Sequence, residues 1–230
     1  MVSRFLSELQ PSLSAPRLQR YVDTSGDPLQ AAVNYLWNVA LAESLYCSLH
    51  AVELAFRNGL HSSLTQHFGR PDWYDGRGVL DGGQKGQIEK AKKTIAAYGD
   101  TVTPDRIVSQ VTFGFWVTIL WRNYDARLWS ANNSAPLKNA FLRLPKHQRQ
   151  RHVLHTRYNR IRELRNRVMH HEPLFDDGLL MVRYGEVKQG LHWLNPRMVD
   201  WVEWYDRFPE VHTHGRADIE RALKEKLNIP

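Results

Sequence analysis

The sequence predicts an all-α protein, and three observations carry that reading. Between Asp27 and about His67, apolar residues recur at steps of three or four (Val33, Trp37, Leu41, Leu45, Leu49, Val52, Phe56, Leu60, Leu64), the period of one long N-terminal helix. From Lys146 to His171 there is no Gly or Pro. There Val153, Leu154, Ile161, Leu164 and Val168 fall within about 100° of arc, the buried stripe of an amphipathic helix that stops at Glu172-Pro173. Helix-start signals punctuate the remainder: Ser14-Ala15-Pro16, Asp27-Pro28, Thr103-Pro104 and Asn195-Pro196 each set a capping side chain before a proline, whose missing N–H costs nothing in a first turn. Roughly 60% helix with little strand is the expected content.

In chain order, residues 1–13 read as an irregular lead-in and 15–23 as a short helix. A helix from 28 to 67 would run about 60 Å, longer than a small domain, so a bend or break is expected, with Gly59 a candidate point. Residues 69–83 form a Gly/Asp/Pro loop; lacking Gly-Lys-Ser/Thr and a preceding strand, it is no phosphate loop. A polar helix is expected over 84–98, a short one after Thr103-Pro104, an apolar, aromatic central helix over 111–129, a polar loop over 130–136 and a helical piece near 137–142. Gly185 splits Leu179–Tyr184 from Glu186–Leu194 and points to a minor β-hairpin near 179–194. Asn195-Pro196 opens a helix carrying Met198, Val199, Trp201, Val202 and Tyr205, and 216–227 form a charged C-terminal helix. With no repeat and no linker, 1–230 reads as a single domain with a core over 15–175 and a helical extension over 195–230.

At 230 residues the chain can bury a full core. Its net charge of +7 and pI near 9.6 point to a polyanionic partner, nucleic acid above all. The single Cys47, set between Leu45 and Leu49, excludes an internal disulfide, fits a reducing cytoplasm and reads as a core position. The N-terminus lacks a signal-peptide core, and the longest apolar run, near 111–121, is too short to span a bilayer, so no membrane association is expected.

The charge is concentrated. Residues 143–171 hold nine Lys/Arg and five His against one acid, Glu163. Opposite the apolar stripe stand His155, Asn159, Arg162, Glu163, Asn166 and His170. Within this face lies Arg165-Asn166-x-x-x-His170. Asn166 and His170 are one turn apart, Arg162 continues the row, and Arg165 lies at its edge. Such a set suits attack on an RNA phosphodiester by its own 2′-OH. A histidine can move protons at neutral pH, an arginine can hold the phosphate and its developing charge, and no metal is needed. The pattern alone is weak: in a chain with 11 His, chance supplies about one Arg-x4-His, and about 0.05 with Asn after the Arg. A second occurrence, Arg207 to His212, contains Pro209, where no helix is expected to run.

A second polar stripe, Glu53, Arg57 and His61 with Asn58 beside it, lies at i, i+4 and i+8 on the long helix. It reads either as a surface ion pair or as support that orients site residues or touches phosphate.

The segment LQAAVNYLWNVALAESLYCSLHAVELAFRNGLHSSLTQHFGRPDWYD (29–75) resembles the N-terminal signature of the Abi-like proteins of bacterial phage defence, the AbiD/AbiF type. FGFW at 113–116, LW at 128–129 and LRNRVMHH at 164–171 follow in the family's order, so the resemblance covers roughly 15–175 and leaves 195–230 outside. It implies a HEPN-like helical bundle whose Arg-x4–6-His motif is a metal-independent ribonuclease site that leaves a 2′,3′-cyclic phosphate, usually within a homodimer. Carried over, Arg165 and His170 match the two motif positions and Asn166 the residue after the Arg; Glu53, Arg57 and Asn58 match the polar signature of the long helix. His171 also follows the motif, and the helical row favours His170 as the one facing the site. Because i and i+5 stand about 140° apart on a helix, a two-fold copy would help complete such a site.

The expectation is therefore an endoribonuclease of abortive infection. Arg165 would hold phosphate, His170 serve as general acid or base, and Asn166 orient them. Arg157, Arg160 and Arg162 would track the RNA backbone. The alternative is a non-catalytic HEPN module that binds RNA or pairs with a toxin or antitoxin through the same face. A metal site from His152, His155, His170, His171 and Glu172 is disfavoured, because the two histidine pairs lie turns apart and nothing completes the set; His212 and His214 are expected in a loop. No cofactor is expected. An unregulated ribonuclease would harm its host, so an antitoxin, a noncoding RNA or a phage product is expected as regulator.

Overall fold

The structure is a computed structural model that describes residues 2–129 and 135–229. It is all-α, and among the described residues there is no strand. The chain divides into two compact units: Met1–Ser48, Leu164–Tyr184 and Trp204–Pro230 form one, and Leu49–Glu163 with Gly185–Glu203 the other.

The first unit begins with α1 (Val2–Leu13), where an irregular lead-in was expected; an exposed Arg4–Glu8 pair at 3.0 Å, one turn apart, supports it. The short α2 (Ala15–Gln19) follows Ser14, whose φ is +64°. Then comes α3 (Pro28–Phe68), 41 residues without the expected break. Gly59 does not interrupt it. A Cβ there would sit 3.6 Å from the Ala140 carbonyl, so this glycine marks close packing within the second unit and not a hinge. By length and composition α3 could cross a bilayer. Its buried row of Val33, Leu41, Leu45, Leu49, Val52, Phe56, Leu60 and Leu64 is instead the core face the periodicity predicts.

In this first unit the N-terminal half of α3 packs on α12 (Phe208–Leu227) through Ala32, Val33 and Leu223. Trp37 Nε1 donates to the Val211 carbonyl at 3.0 Å. The helix α12 is longer than the expected 216–227, because Pro209 occupies its first turn, where proline is tolerated. His212 and His214 are therefore helical and not in a loop.

The second unit is built on aromatic packing. Phe56 stacks on Tyr158 at 4.0 Å and meets Phe113 edge-on at 5.5 Å. Two capped helices flank this core. In α4 (Gly82–Ala97) the Asp81 side chain accepts from Gln84 N, and in α5 (Pro104–Gln110) Thr103 accepts from Arg106 N. The expected helix over 111–129 is broken into α6 (Phe113–Thr118), a 3₁₀ turn (Arg122–Tyr124) and α7 (Asp125–Leu128). Phe113, Phe115, Trp116, Val117, Ile119 and Leu120 are all buried, so no face needed to be selected and the run carries no period. Trp129 Nε1 donates to the Ile119 carbonyl at 2.6 Å, folding the chain back. The loop expected at 130–136 lies largely outside the described residues; α8 (Ala135–Ala140) follows it.

The basic helix α9 (Arg151–Met169) is preceded by a 3₁₀ turn at Lys146–Gln148. Leu154, Tyr158, Ile161, Leu164 and Val168 are its buried row, while Val153 is only half-buried. The minor hairpin near 179–194 does not form: these residues are α10 (Leu180–Leu194). Val187, Leu191 and Leu194, three and four apart, are buried on one face, and Gly185 sits exposed within the helix without turning it. Gly190 explains the second glycine. A Cβ there would lie 2.8 Å from Ile161 Cδ1, and the Tyr158 hydroxyl donates to the Gly190 carbonyl at 2.8 Å. In α11 (Pro196–Glu203) Val202 is buried, but Trp201 is 64% exposed and, beyond the helix, Tyr205 72%.

Candidate functional site

The C-terminal end of α9 is held by three independent devices, all within the first unit. The backbone closes first: His170 N–H bonds the Asn166 carbonyl at 2.8 Å, His171 N–H that of Val168 at 3.1 Å, and Glu172 N–H that of Arg167 at 2.8 Å. His171 takes the left-handed conformation, φ +57°, that ends many helices and that glycine or asparagine usually supplies. Arg167 then reaches past the helix end to the Asp177 carboxylate and the Pro173 carbonyl, and Arg183 joins Asp177 at 3.0 Å. Burial pushes the Asp177 carboxyl up, but the Arg167 hydrogen bond, the Leu179 N–H and the Arg183 charge outweigh it and leave its pKa lowered. From the other side, Asn38 Oδ1 accepts from Leu174 N at 2.5 Å and Phe175 N at 3.3 Å. The segment 170–177 is thus a fixed platform.

On that platform His170 and His171 are both exposed, and both line a polar cleft of about 230 Å³. The opposite wall is the α2 segment: Ser14, Arg17, Arg20 and Tyr21. Arg17 Nη2 donates to the His171 carbonyl at 2.7 Å across 154 residues of sequence. Two guanidinium groups and two imidazoles therefore share one opening, a composition that suits a phosphate. Tyr21 is buried, and that burial raises its phenol pKa, only partly offset by Arg17 and Arg20.

Arg165 and Asn166 lie on the preceding turns of α9, half-buried, and do not line this cleft. The structure thus brings His170 together with His171, but their cationic neighbours there are Arg17 and Arg20. Sequence reasoning missed these two. The available signal was a pair of arginines at i, i+3, one in the short helix following Ser14 and one at its C-terminal cap; nothing local placed them near His170.

The remaining candidates belong to the second unit. Arg160 pairs with Glu186 at 2.9 Å; Arg157 lies 3.8 Å from the same carboxylate and 5.1 Å from the Trp193 ring centre. These arginines hold α10 to α9 and share the single carboxylate of Glu186 between them. The Arg162 side chain packs along Gly114, and its buried Nε lacks a hydrogen-bond acceptor. Arg57 Nη1 donates to the Ser109 carbonyl at 3.5 Å, and its Nε is likewise buried without an acceptor. Glu53 is half-buried, and exposed Asn58 lines a separate cavity beside Asn139 and Asn195. His61 Nδ1 accepts from Trp73 Nε1 at 3.2 Å, and burial lowers its pKa despite Asp105. Burial, then the charges of Arg151 and Arg162, lower that of His155.

Cys47 is half-buried rather than a full core residue. Among the described residues no group of three or more His, Cys, Asp or Glu is placed to hold a metal ion. Comparison with protein-family models, curated proteins and solved structures finds no match to this chain.

Proposed function

We propose that the protein is a metal-independent endoribonuclease of the HEPN superfamily, of the Abi-like AbiD/AbiF type, acting in the cytoplasm in abortive infection. The observation that carries this reading is the cleft in which exposed His170 faces arginine side chains at the end of a strongly basic helix. Such a cleft can seat a phosphodiester. The adjacent 2′-OH attacks phosphorus, and the 5′-oxygen leaves with a proton. The products are a 2′,3′-cyclic phosphate and a 5′-OH. His170 takes the nucleophile's proton or gives one to the leaving oxygen, and fixed guanidinium donors stabilise the charge on the non-bridging oxygens. The platform made by Arg167, Asp177 and Asn38 supports the role, since a catalytic side chain needs a rigid base.

Arg165 supplies transition-state charge and Asn166 orientation. Because neither lines the cleft of His170 within one chain, the reading includes a two-fold homodimer in which a second copy contributes them. Regulation falls to an antitoxin, a noncoding RNA or a phage product. A second reading, a HEPN module that binds RNA or a toxin partner without cutting, draws on the same basic face.

The test is cleavage of mixed RNA in EDTA by wild type, Arg165→Ala and His170→Ala, with analysis of the new ends. Cyclic phosphate made by wild type and lost in both variants is the expected result. Equal cutting by His170→Ala would overturn the assignment.

A further inference from the structure

The phosphate-sized cleft does not stand alone. A second cavity of about 640 Å³ shares Ser14, Arg17, Tyr21 and His171 with it and extends along α3 past Tyr35 and Val39. Its volume lies within the roughly 300–1,000 Å³ of small-molecule sites. The two openings differ in chemistry. The smaller presents Arg17, Arg20, His170 and His171; the larger adds an apolar side of Tyr35, Val39, Ala42 and Val168, beside the polar Ser12, Asn38 and Glu43. Tyr35 is half-buried and set edge-on to Tyr21, ring centres 5.1 Å apart, so Tyr21 fixes its orientation. The charged group in its lining, Glu43, is exposed and paired to Arg207 at 2.6 Å, which offsets its charge in part. Asn38 is occupied by the Leu174 and Phe175 amides. Arg17 spends one N–H on the His171 carbonyl, whereas the Arg20 side chain makes no hydrogen bond or ion pair among the described residues.

From this juxtaposition we infer that the two cavities are one nucleotide subsite. Arg17 and Arg20 grip a backbone phosphate beside His170, and the adjoining base enters the larger cavity to pack on Tyr35. The inference rests on the ribonuclease reading for the identity of its ligand and adds the substrate class, single-stranded RNA. A base within an A-form duplex is stacked and paired, and cannot turn into a side cavity, whereas an unpaired base can be held on an aromatic side chain.

The test separates binding from cutting. A short fluorescein-labelled single-stranded RNA carrying 2′-O-methyl groups throughout has no nucleophile and cannot be cleaved. It is titrated with the full chain as wild type, Arg20→Glu, Tyr35→Ala, Tyr35→Phe and, as a control at an exposed arginine of the second unit that does not line either cavity, Arg122→Glu. Thermal melting checks each variant's fold. Arg20→Glu should weaken binding at least tenfold and lower the salt slope by about one. Tyr35→Ala should weaken it about tenfold, Tyr35→Phe should restore it, and Arg122→Glu should bind within about twofold of wild type. Wild-type affinity in both Arg20→Glu and Tyr35→Ala overturns the subsite, as does a wild-type chain that does not bind the strand. If the subsite variants fail as expected but wild type never cuts unmodified RNA, the subsite stands and the nuclease reading falls. If wild type cuts and the variants bind and cut equally well, the nuclease stands and the subsite falls.

Discussion

The two ends of α9 carry similar residues and use them in opposite ways. Toward the N-terminal end, Arg151 bonds the Leu120 carbonyl at 2.6 Å and pairs with Asp125, while Arg157 and Arg160 meet Glu186. At the C-terminal end, Arg167 is also consumed, by Asp177, but what it holds in place is a platform bearing two exposed histidines opposite Arg17 and Arg20. The lesson is that a dense run of positive charge in sequence is not a binding surface. Arg151, Arg157, Arg160 and Arg167 fasten neighbouring segments through carboxylates. The two arginines that face the histidine cleft come from α2 and the residue that ends it, far away in the chain.

The comparison breaks most sharply at His170. If the C-terminal end is the reactive one, His170→Ala should lower RNA cleavage by about 10²–10⁴-fold while leaving the melting temperature unchanged, because the side chain is exposed. Gel analysis of cleavage beside a thermal melt checks both halves. A variant that cuts normally would erase the distinction between the two ends.

Asp177 tests whether the platform is fastened as described. Asp177→Asn keeps the size but removes the charge that Arg167 and Arg183 share, and should cost about 2–3 kcal/mol in urea unfolding. The pH dependence has a definite sign. The Asp177 carboxyl titrates lower in the folded chain than in the unfolded one, whose value is about 3.9. Its contribution is therefore fully present above that value and is lost as pH falls through the lower folded value. Wild type should lose stability through that acid window more steeply than Asp177→Asn; parallel curves would mean that the carboxylate is not ion-paired.

How far the fold could be read in advance follows the same division between local and distant causes. The buried row of α9 and that of α3 were legible because each helix has a single apolar face, and the helix starts at Thr103 and Asn195 because they are local chemistry. The hairpin at 179–194 failed because Gly185 reads as a turn, while the glycine that packs closely is Gly190, against Ile161. The 111–129 segment failed because a run buried on all sides has no period to reveal where it breaks. In the candidate site His170 and His171 were visible from their helix, but Arg17 and Arg20 were not. Their position depends on a tertiary contact, Arg17 to the His171 carbonyl, that no spacing encodes.

The smallest expected effect sharpens the contrast from the other side. Arg160 is about half exposed yet paired to a largely buried carboxylate, Glu186. If that pairing is what withholds it from RNA, Arg160→Ala should change RNA affinity by less than about twofold, in contrast to Arg20→Glu, and should cost at most about 1 kcal/mol of stability, as exposed ion pairs do. Glu186→Gln should act in the opposite sense. With the carboxylate gone, Arg157 and Arg160 become available to phosphate, and the salt slope of RNA binding should rise by about one without any change in the cleavage pattern. Fluorescence titration at several salt concentrations measures both. An Arg160→Ala loss as large as that of Arg20→Glu would mean that the N-terminal end of α9 contacts RNA despite its ion pairs. The count of positive charges along the helix would then be a better guide to its binding surface than the pairing of each one.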